Sequence, residues 1–262
     1  MGKMIRFFRL QMEVQLRVRA LTGSILTMLL IQPVIFSGIA FFMARIAEAD
    51  TADLVYVIIG GGLVGIWAQV LFLSLYDITG DRREGTLELI VGSPTSLGMV
   101  LSARVLTNVL TGTLSLVGSF LLISIFFPLP LPLQSLPALG FSLLIILFSF
   151  WCLGILLANF HAWSRMASTI YGYFEMPVVV LSGFMFPITV LPTWLQTVTV
   201  ILPTRWAVAA LNESLKGQPD ISTIWQSWLY ALALSLFYLF LGLWLARRVH
   251  DQIRVSGELS SI

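Results

Sequence analysis

Charge is scarce in this chain, and so are cysteine and histidine. Asp, Glu, Lys and Arg make up 11% of the 262 residues, against 58% that are hydrophobic. A soluble domain of this length needs a polar exterior, and these residues cannot build one. The single cysteine, Cys152, lies in an apolar run and excludes both a disulfide framework and a clustered thiol metal site. The two histidines, His161 and His250, fall near the ends of apolar runs and read as interfacial residues rather than ligands. No phosphate loop exists: the Gly2-Lys3 pair is followed by Met4, so nothing fits GxxxxGK[ST] and any nucleotide site belongs to another polypeptide. Asp77 and Asp81, four apart, can share a helix face, but no third ligand follows and no metal is assigned to them. Internal repeats, low-complexity segments and a soluble domain are missing too, and nucleic acid is not an expected partner.

What is there is hydrophobic length. Mean hydropathy is +0.93, and apolar runs of about 20 residues are long enough to cross a hydrocarbon core about 30 Å thick. The reading is an all-α integral membrane protein with six transmembrane helices: Ser24–Met43, Leu54–Tyr76, Val100–Phe127, Ala138–Ala158, Ala167–Phe186 and Trp225–Ala246. Before them, residues 1–23 are basic and amphipathic. Ile5, Phe8, Met12 and Leu16 recur at helical spacing among arginines, which predicts an interfacial helix in the headgroup plane rather than a cleaved signal peptide. Eleven Lys and Arg lie in segments 1–23, 77–99, 159–166 and 247–262, against Arg45, Arg205 and Lys216 in the alternate connections. Arg104 adds to the first side at the end of the third span. This asymmetry predicts a multi-pass protein with both termini cytosolic.

The outer connections are rich in proline. Residues 128–137 carry four, which forbid a continuous helix. Residues 187–224 are mildly polar and broken by Pro187, Pro192, Pro203 and Pro219, predicting short helices that dip into the outer leaflet before the sixth span. Trp194, Trp206, Trp225 and Trp228 are expected in the interfacial aromatic belt. Gly61 and Gly65 form GxxxG within a cluster that includes Gly60 and Gly62, which suits close helix packing within or between subunits.

Two polar features stand out against this background. The first is the island Asp77 to Glu88 (DITGDRREGTLE), with charges of both signs, a glycine at 85 and Pro94 beyond it. A short helix on the membrane surface fits it better than a plain linker. Arg82 and Arg83 are suited to paired hydrogen bonds with a partner's carboxylates, and Glu84 and Glu88 to a partner's basic groups. The alternative is a solvated loop whose arginines only set topology. The second feature is Glu175, of order 15 Å along a helix from Arg165, with Tyr171 and Tyr173 nearby and Pro177 behind it. An ionisable group at that depth must face protein or water, as a pathway element or an interhelical contact.

In order, Asp81 to Glu88 (DRREGTLE), then Ser93-Pro94, resemble the (D/E)R-x-x-GTLE…P segment of the ABC type-2 permeases. Ser164-Arg165, Leu181-Ser182-Gly183, Phe186-Pro187, Leu191-Pro192, Trp194-Leu195 and Pro203 are similar to that family's fifth span and outer re-entrant region. The resemblance extends over nearly the whole chain, 1–262, as a single transmembrane domain: interfacial helix to 23, spans one to five over 24–186, outer region 187–224, span six over 225–246 and a cytosolic tail from 247. It implies the permease subunit of an ATP-driven exporter in an inner (plasma) membrane. A separate ABC ATPase would carry ATP and Mg, this chain binding no cofactor. A second permease would complete a homodimer or heterodimer, with spans two and five at the subunit interface. Arg82, Arg83, Glu84, Gly85, Thr86 and Glu88 would form the coupling helix toward the ATPase. The cargo would be hydrophobic or amphipathic: a drug, a lipid or a lipid-linked glycan. The rival reading is an ion-coupled secondary carrier that uses Glu175.

Overall fold

Within a bilayer a chain must satisfy its own backbone polar groups, and these apolar runs do so as helices. The computed structural model describes residues 2–20, 31–46, 51–92, 95–126, 136–163, 167–216 and 218–256, and among them there is no strand. In chain order the helices are α1 (Gly2–Ala20), α2 (Gln32–Ile46), α3 (Thr51–Arg83), α4 (Thr86–Gly92), α5 (Leu97–Phe126), α6 (Leu136–Trp163), α7 (Ala167–Ser182), α8 (Thr193–Thr199), α9 (Pro203–Leu215) and α10 (Ile221–Ser256), with a 3-10 turn at Ile188–Val190. Four stretches are long and apolar enough to cross a membrane: Asp53–Asp81, Leu97–Ile125, Leu136–Trp163 and Ile221–Asp251. They correspond to the predicted second, third, fourth and sixth spans. At the predicted first and fifth, α2 has 15 residues and α7 has 16. The start of the first span at 24–30, the proline run at 127–135, Ser93-Pro94, Ser164-Arg165 and the end of the tail lie outside the described residues.

The second span is the hub. Every residue from Val55 to Leu71 on α3 is buried, enclosed by α2, α5, α6 and α7. Three consecutive glycines let neighbours press against it. A Cβ on Gly60 would stand 1.7 Å from the Phe184 carbonyl oxygen, one on Gly61 2.7 Å from Ser37 Cα, and one on Gly62 2.6 Å from Leu116 Cα. The glycine cluster therefore packs within the subunit. This corrects the expectation that span two lines a subunit interface, because its own neighbours already cover that length of it. Trp67 stacks on Phe150 at 6.0 Å, and Phe150 meets Phe184 edge-on at 5.6 Å, which fills the centre.

After α7 the chain reverses at Gly183, whose φ of +72° suits glycine and whose carbonyl accepts the Tyr56 hydroxyl. Short helices follow, as the prolines predicted. Pro187 and Pro192 precede the 3-10 turn and α8, and Pro203 opens α9, a position where its missing N–H costs nothing. Helix α9 packs through Ala207 and Leu211 onto α6 and α10. Trp194 and Trp225 are exposed. Trp206 lies 4.6 Å from Tyr230, and Trp228 lies 4.6 Å from Phe141 while donating to Ser142 Oγ at 2.9 Å. Outward faces are apolar, as in the stripe Leu110, Leu114, Val117, Leu121 and Ile125 on α5. That is what a lipid-exposed surface requires.

Candidate functional site

The charged island is bent in two. Helix α3 does not stop at Tyr76; its 33 residues rise about 50 Å, so its last turns, with Asp77 and Asp81, extend past a bilayer core. Glu84 and Gly85 form the turn, closed by Glu84 N–H donating to the Gly80 carbonyl at 2.9 Å, and α4 follows from Thr86. Gly85 has φ +67°, yet nothing lies within 4 Å of where a Cβ would sit. Glycine is there for the backbone conformation, not for space. The expected surface helix is thus confined to Thr86–Gly92, and the first half of the island prolongs the span.

Asp81 ties the pieces together. Its carboxylate accepts both guanidinium nitrogens of Arg104 on α5, with Nη2 3.3 Å from Oδ1 and Nη1 closer still to Oδ2. The Thr86 hydroxyl donates to Asp81 Oδ1 at 3.1 Å. A single carboxylate therefore joins the ends of α3 and α5 to the first residue of α4, in the bidentate geometry that makes guanidinium–carboxylate pairs strong. One turn earlier, Asp77 Oδ2 accepts Gln15 Nε2 of α1 at 3.1 Å. On another face of α3, Thr79 shares a 3.3 Å hydrogen bond with His161 at the end of α6. His161 is 1% exposed and is held there as a packed contact. Asp77 and Asp81 do share a helix face, but each has a protein partner, and no group of carboxylates or histidines that could hold a metal ion occurs among the described residues.

Of the six expected coupling residues, Arg83, Glu84 and Gly85 are exposed and Thr86 is half-buried on Asp81. The backbones of Arg82 and Glu88 lie in α3 and α4, but their side chains fall outside the described residues, as does that of Tyr171 in α7. Glu175 is half-buried on α7, and its backbone carbonyl accepts Trp67 Nε1 at 3.3 Å. That contact sits ten residues before Asp77 on α3, about 15 Å along the helix, so Glu175 belongs to a separate locus.

Sequence reasoning missed what lies above the clasp. Asn108 Nδ2 donates to Ser74 Oγ at 3.1 Å, the Thr111 hydroxyl to Gln69 Oε1 at 3.2 Å, and Gln69 Nε2 to Ser115 Oγ at 3.0 Å. These side chains form a polar seam between α3 and α5 that continues the Asp81–Arg104 contact into the apolar bundle. The available signal was spacing: Arg104, Asn108, Thr111 and Ser115 recur on one helix face.

Compared with known proteins, the chain from residue 47 to residue 244 matches the family model described as ABC-2 family transporter protein. That range includes α3 to α9, hence both halves of the bent island and Arg104. No curated protein matches.

Proposed function

We propose, because this chain belongs to the ABC-2 transporter family, that it is the permease subunit of an ATP-driven exporter whose ATPase is a separate polypeptide. Members of this family are membrane subunits and typically not catalytic themselves, which agrees with a sequence that has no phosphate loop. The ATPase partner would bring ATP and Mg. A second permease, identical or similar, would complete the transporter. The proposed topology has six spans with both termini cytosolic in an inner (plasma) membrane. In it α1 is the interfacial helix, α4 the coupling helix, and 187–224 the outer re-entrant region. The cargo proposed is hydrophobic or amphipathic. Family membership does not favour the ion-coupled carrier built on Glu175.

One observation carries the coupling role: a short helix that turns off α3 at Gly85, exposes Leu89, and is clasped by Asp81 to the ends of α3 and α5. A push on α4 reaches two long helices through one carboxylate, so α4 can act as a lever. Arg83 and Glu84 stand at the outer corner of that lever, where a partner's charged groups can reach them. The test is co-purification with the ATPase and stimulated ATP hydrolysis in Arg83→Glu and Glu84→Arg variants. Both are expected to weaken docking. Unchanged docking and unchanged stimulated hydrolysis in both variants would sink the coupling assignment.

A further inference from the structure

A groove among α1, α5, α6 and α10 runs from the charged end of α10 into its apolar length. Leu239, Leu243, Ala246, Arg247, His250 and Asp251 line it, at spacings that put all six on one face of α10. From Leu239 to Asp251 is about 18 Å along the helix, close to one leaflet of a hydrocarbon core about 30 Å thick. The volume is about 490 Å³. Its deep end is apolar. Trp151 of α6 donates its indole N–H to the Ser102 carbonyl at 3.0 Å, so the ring itself is what it offers the groove. Phe8 of α1 completes that wall. At the floor α5 and α10 nearly touch, since a Cβ on Gly98 would stand 2.9 Å from Ala246 Cβ. The shallow end is charged. Arg247 and Asp251, one turn apart, are exposed, and neither has a hydrogen-bond or ion-pair partner among the described residues. Arg248 points elsewhere, with its guanidinium 4.5 Å over the Trp244 ring. The first turn of α5, from Ser96 to Met99, also lines the groove and meets α10 next to Arg247. A helix N-terminus carries partial positive charge, so it adds to Arg247.

We propose that this groove seats one phospholipid whose headgroup ends in a primary ammonium. One acyl chain lies against Trp151, Leu239 and Leu243, the phosphate sits at Arg247 and the first turn of α5, and the ammonium reaches Asp251. The order of the three parts along the groove matches their order in the lipid. Arg247 and Asp251 are about 6 Å apart along the helix axis, a spacing that separates anion from cation without joining them. An anionic headgroup without the ammonium leaves Asp251 facing like charge. A trimethylammonium headgroup keeps the charge but brings no N–H donor for the carboxylate. The bound lipid ties α1 to α5, α6 and α10 and is not the cargo. That its leaflet is the cytosolic one rests on the proposed topology; the binding depends on neither the ATPase nor transport.

The experiment places the full chain in phosphatidylcholine nanodiscs with a trace of photoreactive phospholipid, its diazirine near the end of one acyl chain. The headgroup is ethanolamine, choline or glycerol, and labelled peptides are mapped after irradiation. The ethanolamine lipid should label the Trp151 and Leu239 peptides about fivefold more than the choline lipid, and unlabelled phosphatidylethanolamine should compete. Asp251→Asn should bring ethanolamine labelling down to the choline level. Arg247→Gln should lower groove labelling by all three lipids about threefold. Asp251→Lys should turn the preference to the glycerol headgroup, a gain that misfolding cannot produce. Equal labelling by ethanolamine and choline lipids, or an undiminished ethanolamine preference in Asp251→Asn, overturns the proposal. So does a wild-type preference for the glycerol lipid, which would make Arg247 the whole site. Label spread evenly over the outward faces of α5 and α10 would show annular lipid only and overturn it as well. None of these readouts involves ATP hydrolysis, so the exporter reading stands or falls separately.

Discussion

Breaking the Asp81–Arg104 clasp should loosen two long helices and the α4 lever at once. The side chains are 13% and 16% exposed, so water screens them only partly. Removing one member of a fully buried ion pair costs about 3–5 kcal/mol, whereas exposed pairs contribute about 1 kcal/mol or less. This pair lies nearer the buried limit, and Arg104→Met leaves Asp81 with the Thr86 hydroxyl as its remaining side-chain donor among the described contacts. A destabilisation of about 3 kcal/mol is expected for Arg104→Met. Asp81→Asn, which keeps an acceptor for Thr86, should cost about 2 kcal/mol. In a double-mutant cycle the two should couple by about 2 kcal/mol, and the exchange Asp81→Arg with Arg104→Asp should recover part of the loss. Equilibrium unfolding in mixed detergent–SDS micelles reads the stability term. Stimulated hydrolysis by the proposed ATPase partner, at a temperature where all variants stay folded, reads the lever. A coupling energy below about 0.5 kcal/mol would refute the clasp as a mechanical joint.

Other outcomes follow from the same geometry. Gly60→Ala should destabilise by about 3 kcal/mol or abolish folding, because the new methyl meets the Phe184 backbone rather than a movable side chain. Gly140→Ala on α6 has open space around it and should be neutral or stabilising by up to about 1 kcal/mol, measured in the same unfolding assay. At the start of α10, the Thr223 and Ser222 hydroxyls and the Ser222 amide hold the Asp220 carboxyl below its ordinary 3.8. Its stabilising effect should therefore be complete above that value and fade as the pH falls through the depressed one. Hydrogen exchange across the first turn of α10 should show this fading in wild type and not in Asp220→Asn. Equal pH dependence in both would remove Asp220 from the account.

The long spans were readable because period and length act over about 20 residues, and hydropathy averages over such a window. The same averaging concealed the polar seam: Gln69 and Asn108 are single amides diluted by apolar neighbours. The island's charges were legible but not their partners across the fold: Asp81 finds Arg104 23 residues away and Asp77 finds Gln15 62 residues away. Gly60, Gly61 and Gly62 show why a motif is weaker than a geometry. Successive helix residues turn by about 100°, so the three face three different neighbours, Phe184, Ser37 and Leu116. A pairwise GxxxG reading sees one of those directions. Gly85 was legible as punctuation, but not the bend it makes, because α3 runs past the membrane boundary that the apolar run suggested.

With span two enclosed by its own subunit, the proposed second permease must be met elsewhere, and α7 is the element left from that expectation. Tyr173 on α7 is 75% exposed and Met176 48%, beside a half-buried Glu175. The outward faces of α5 and α10, by contrast, carry mostly leucine, isoleucine and phenylalanine over several turns, α10 adding Trp225, Tyr230 and Trp244 but no carboxyl group before Asp251. Lipid accommodates those faces at no cost. A surface with a carboxyl group and a phenol at membrane depth is costly against hydrocarbon and better placed against protein. A photoreactive benzoylphenylalanine at position 173 should therefore cross-link to a second permease subunit in intact membranes. The same residue at position 229, where Leu229 on α10 is 64% exposed, should capture lipid instead. Protein cross-links from 229 with none from 173 would move the subunit contact to α10 and leave Glu175 as a contact internal to one chain.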